Sequence, residues 1–209
     1  MSSPGWSIRL YDAADELLWA IKLNALWIAF TLLGGVALGV GPATLTAYSL
    51  ARRRSFGESF HALPAFRAGF RRDFGRGSLL LLPLLAAAVV LVGNYLYFAS
   101  LGAKASVPRL ACFAALAVLA VIAAYLLPMA VHYDLRVREL LPKASLVAIS
   151  RPASSVVLLF VLVTIAYLSS TFPVFGLVLA AGGWIQLNTW LCLRFFSENE
   201  ARLHLKGNS

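Results

Sequence analysis

The chain has 209 residues, of which 60% are hydrophobic and only 13% charged, with a net charge of +9. Ordinary soluble domains carry about 25% charged residues, and here the mean hydropathy is +0.80. Residues 23–51, 77–103, 110–133 and 152–193 contain no Asp, Glu, Lys or Arg, and a transmembrane helix needs about 20 such residues. These runs exclude a soluble enzyme, a disordered chain and a disulfide scaffold. They also exclude a β-barrel, whose strands alternate in short segments.

The chain opens with Asp12, Asp15 and Glu16 ahead of the first apolar run. A signal peptide would be basic there and would end in a small-residue cleavage site. Helix is expected from about Ala14 to Val36, with Asn24 and Trp27 on it. Gly39, Gly41 and Pro42 then break it, because proline removes a backbone donor and suits the first position of a new helix. Gly35 and Gly39 also fit a small-xxx-small pattern for close helix approach. The piece from Ala43 to Arg53 is short for a second crossing, so the expectation is one long broken crossing over 17–41, with the acidic N-terminal stretch outside. The alternative is a hairpin, with six spans and that stretch inside.

Between Arg52 and Arg76 lie seven arginines against Glu58 and Asp73. Phe66, Phe70 and Phe74 recur every fourth residue, with Leu63 one turn earlier, and Arg67, Arg71 and Arg72 are offset from that stripe. Residues 60–76 therefore read as a basic amphipathic helix lying in the headgroup region. Phe66, Arg67, Phe70, Arg71, Arg72 and Phe74 are its candidate contacts with anionic lipid headgroups or a partner. The bland reading is that this helix only pins one face of the bundle.

Spans are expected at 78–99 and 107–129, joined by a short polar link, with Asn94 toward the outer end of the first. The 42-residue run at 152–193 would be about 63 Å long as one helix, twice the hydrocarbon thickness. Phe172-Pro173 at its midpoint divides it into spans at 153–171 and 174–195. Gln186 and Asn188 lie in the last. The basic residues thus fall in the connections between apolar runs, which is the positive-inside pattern with those connections and the C-terminal tail cytoplasmic. That distribution argues against nucleic acid as a partner.

No Asp, Glu, Lys or Arg lies deep in these runs, whereas ion-coupled carriers keep such groups near the midplane. Asn24, Asn94, Gln186 and Asn188 are the neutral candidates for a substrate contact; the competing reading is that amides tie helices together. No metal-ligand spacing, phosphate loop or nucleophile elbow occurs, so no metal, cofactor or catalytic residue is expected. Cys112 and Cys192 read as small packing residues. The fold class is all-α: a polytopic transmembrane bundle of about five spans forming a single membrane domain over 1–209.

Particular residues narrow this further. The stretch Leu23-Asn24-Ala25-Leu26-Trp27-Ile28-Ala29-Phe30-Thr31-Leu32-Leu33-Gly34, then Gly39-Val40-Gly41-Pro42-Ala43-Thr44 and an Arg-rich end, resembles the YesL family of bacterial membrane proteins, also called DUF624. The segment from Phe66 to Phe74, Val131-His132-Tyr133-Asp134-Leu135, and Arg151-Pro152 before a helix are similar too. The resemblance spans roughly residues 17–200. It implies a five-span protein of the bacterial cytoplasmic membrane without an established activity. Members are often encoded beside carbohydrate ABC uptake systems, so it also implies a non-enzymatic accessory role in sugar uptake, with an ABC permease as partner. A small autonomous sugar transporter or channel and a ligand-free scaffold are the alternatives.

Overall fold

A computed structural model describes the backbone of residues 6–133 and 137–207, with side chains at 10–102, 104–133 and 137–194. Asp134 and Leu135 of the family-like motif and the side chains of the C-terminal tail lie outside the described residues. The helices are α1 (Trp6–Leu33), α2 (Val40–Ser55), α3 (Ala62–Arg72), α4 (Phe74–Ser100), α5 (Ser106–His132), α6 (Val137–Ser150), α7 (Pro152–Thr171), the single turn α8 (Pro173–Phe175) and α9 (Ala181–Gly207). A 3-10 turn, Gly102–Ala105, joins α4 to α5, and a π turn, Gly176–Ala180, joins α8 to α9. No strand occurs among the described residues. Five segments are long and apolar enough to cross a membrane: Leu10–Leu33, Phe74–Ser100, Ser106–His132, Pro152–Thr171 and Pro173–Arg194. The expected all-α bundle with a broken first helix is what the chain forms.

The first break lies earlier than its glycines and proline suggest. The helix ends at Leu33 and the interruption occupies residues 34–39. Gly35, at φ +77°, takes the left-handed position. Its N–H donates to the Leu32 carbonyl (3.1 Å) and the Val36 N–H to the Thr31 carbonyl (2.9 Å), the paired bonds of a Schellman stop. Gly35 therefore ends a helix and packs against nothing within 4 Å of an added Cβ. The expected small-residue contact through Gly35 and Gly39 does not form. Gly41 and Pro42 sit inside the first turn of α2, where a missing proline donor costs nothing.

The second correction concerns direction. The Arg54 guanidinium pairs with Asp15 and, at 3.1 Å, with Glu16. Trp27 Nε1–H donates to Thr44 Oγ1 at 2.9 Å. Contacts that pair the start of one helix with the end of the next, and then close toward the turn, define an antiparallel hairpin. The end of α2 thus returns to the start of α1, and the expected single broken crossing is replaced by the hairpin. Arg52 Nε–H donates to His132 Nδ1 at 3.1 Å, bringing the end of α5 to the same place.

Helix α2 is the centre of the molecule. It touches α1, α3, α4, α5 and α9, and from Gly41 to Ala51 only Ser49 escapes full burial. Its small residues make this possible. A Cβ on Gly41 would run into the Gly77 carbonyl of α4, and one on Gly69 of α3 would lie 2.7 Å from Thr46 Cγ2.

A short returning helix occurs twice. Leu63-Pro64 opens α3 and Leu141-Pro142 lies in α6. Two residues past each proline stands a fully buried side chain, Phe66 and Ala144. Each short helix stops at one non-helical residue, Asp73 or Arg151, and a long apolar helix follows at once. The basic α3 was expected, whereas α6 falls where a connection was expected.

Candidate functional site

The four candidate amides do not converge on one place. Asn24 is 1% exposed. Its Nδ2 donates to the Leu177 carbonyl at 2.7 Å, and its Oδ1 accepts from the Gly182 N–H at 3.0 Å. Gly182 lies directly on the backbone of α1, where a Cβ would strike the Ala20 carbonyl. Asn24 therefore fastens α1 to the π turn and the start of α9. A π turn leaves backbone groups without their usual helical partners, and Asn24 supplies one.

Asn188 is fully buried. Its Nδ2 donates to the Tyr48 hydroxyl at 2.7 Å and to the Ala124 carbonyl at 3.0 Å, while its Oδ1 accepts from Cys192 Sγ at 3.4 Å. One side chain joins α9 to α2 and α5. Gln186 Nε2 donates to Glu16 Oε2 at 2.9 Å, so Gln186 belongs to the network of Asp15, Glu16 and Arg54. Asn94 stands apart near the far end of α4, exposed, and donates to the Val90 carbonyl of its own helix at 3.0 Å.

The helix break is closed. Gly39 is buried against Thr31 and Gly34, and Gly41 and Pro42 are buried against Gly77 of α4. None of the glycines and proline expected to border a substrate path has a free face. The largest groove with a well-defined wall lies between α5, α6 and α7. It holds about 390 Å³ and is lined by Val121, Ile122, Ala148, Ile149 and Val156 among others. Its walls are almost wholly apolar.

Helix α3 turns its expected stripe inward. Phe66 is fully buried, stacked 4.9 Å from the Phe30 ring, and Phe70 lies 5.3 Å from the same ring. Phe66 and Phe70 are therefore core contacts and not lipid or partner contacts, because the stripe that looked unpartnered finds α1. Phe74, 38% exposed, closes the row against Phe70. Arg72 makes a two-point pair with Asp73, at 3.0 and 2.8 Å, and the carboxylate holds the guanidinium pKa above its ordinary value. Arg67 and Arg71 face outward.

Sequence reasoning missed the three-arginine end of α2 as a structural lock. Arg52 stacks over Phe56, Arg53 pairs with Glu58 at 2.6 Å and covers Phe60, and Arg54 covers Trp19. The signal was the opposite charge of residues 12–16, legible only once α1 and α2 are known to be antiparallel. Among the described residues no cluster of His, Cys, Asp or Glu could hold a metal.

Comparison with known proteins agrees with the family resemblance. Residues 20–95 match the family described as "Protein of unknown function, DUF624". The chain is 29% identical to the uncharacterized protein YesV of Bacillus subtilis (strain 168) over 209 residues, covering 95% of this chain and 96% of that one. It is 29% identical to the uncharacterized protein YesL of the same organism over 141 residues, covering 65% and 66%. No solved structure matches.

Proposed function

We propose that this chain, related as it is to the YesL (DUF624) family, is a non-enzymatic accessory protein of the bacterial cytoplasmic membrane that assists carbohydrate uptake and contacts an ABC-type permease. The observation that carries the non-transporting part is the closed helix break, together with the internal use of the amides. A carrier built on a discontinuous helix leaves backbone groups facing its substrate. Here Gly39, Gly41 and Pro42 face packed backbone, and Asn24 and Asn188 bond to other helices. The protein then acts through its outer surface. The sugar-uptake part rests on the family's association with such systems.

The positive-inside rule assigns the end that gathers Arg52, Arg53 and Arg54 to the cytoplasm. Since α1 begins and α2 ends there, the N-terminal stretch shares that side, and the C-terminal tail is assigned to it as well.

The test is co-purification. A tagged chain expressed in its own host and extracted in mild detergent should retain a sugar permease, and a deletion strain should import that sugar more slowly. Unchanged uptake with no permease retained would remove the accessory reading.

A further inference from the structure

We infer that the outer face of α3 is a headgroup site for anionic phospholipid, made by Arg67 and Arg71 and flanked by Leu63. The inference needs only that the chain sits in a membrane and is independent of the accessory reading. The seven arginines between residues 52 and 76 are not equivalent. Arg52 bonds His132, Arg53 pairs with Glu58, and Arg54 pairs with Asp15 and Glu16. Arg72 pairs with Asp73, and Arg76 donates to the Ala130 carbonyl at 3.1 Å. Arg67 and Arg71 have no ion pair or ring contact among the described residues, and both are exposed.

These two cations stand one helical turn apart on the same face, where like charges repel. An anion between them relieves that repulsion. Their depth suits a headgroup. Arg72, Asp73 and Arg76 are the last charges before the charge-free run that begins at Gly77, so the end of α3 lies where α4 leaves the apolar phase. Leu63, 60% exposed, sits one turn before Arg67 and offers an apolar anchor beside the charges, as interfacial helices do. The inward face, with Phe66 fully buried, fixes which way the arginines point. The counterpart α6 lacks this feature, since its Lys143 is paired with Glu139 at 3.1 Å.

The experiment is native mass spectrometry of the full chain taken from vesicles of equal phosphatidylglycerol and phosphatidylcholine. The wild type should retain phosphatidylglycerol preferentially. Arg67→Gln/Arg71→Gln should weaken that preference by about fivefold per arginine, the factor for one basic residue at an anionic surface. Arg67→Lys/Arg71→Lys should keep it, showing that charge and not folding is read. An unchanged preference in the glutamine variant overturns the proposal. So does displacement of the lipid by inorganic phosphate alone, which would mark a free-anion site. Loss of a co-purifying protein with lipid preference intact would make this face a protein docking surface instead.

Discussion

At the scale of single residues, the amides act as fasteners. Asn24 and Asn188 each satisfy groups on two other elements, and removing one leaves a buried donor or acceptor without its partner. Such a loss costs about 1–3 kcal/mol in soluble proteins and rather less between membrane helices. Asn24→Ala and Asn188→Ala are therefore expected to lower the thermal unfolding midpoint in detergent, each by about 1–2 kcal/mol of stability. Asn94→Ala, exposed and bonded within its own turn, should change stability by less than about 0.5 kcal/mol. Equal destabilisation by all three would contradict the distinction. The four amides were legible as polar groups in apolar runs, but their convergence was not. Which helices meet at Asn188 depends on α2 lying at the centre, and nothing in the local spacing of α9 encodes that.

At the scale of elements, the sequence revealed helices wherever apolar composition alone decides them. Segments Phe74–Ser100, Ser106–His132 and Pro152–Thr171 lie close to the runs read from charge. It misplaced α2 for a physical reason. This helix is short, ends in three arginines and is buried by protein rather than by lipid, so it needs small residues more than apolar ones. Its direction is set by non-local pairing of Arg54 with Asp15 and Glu16. Helix α6 was hidden by Arg138, Glu139, Lys143 and Pro142, although Leu140 and Ala144, one turn apart and both fully buried, mark its inner face. The hairpin has a direct consequence for topology. A reporter fused ahead of α1 and one inserted between α2 and α3 should report the same side, the cytoplasm. Opposite sides would restore a single first crossing.

At the scale of the whole molecule, three hairpins, α1 with α2, α4 with α5 and α7 with α9, enclose an interior filled by Tyr48, Phe66, Tyr125 and Leu126. The basic end is locked by pairing, and one basic face remains on α3. A molecule so arranged has surfaces to offer and no path through it. The most direct measurement is solute flux into proteoliposomes holding the purified full chain, with labelled mono- and oligosaccharides outside. The expected result is uptake indistinguishable from protein-free liposomes, with the same result for Asn188→Ala. Saturable sugar uptake by the wild type, abolished by Asn24→Ala or Asn188→Ala, would contradict the closed bundle and make those amides a substrate site.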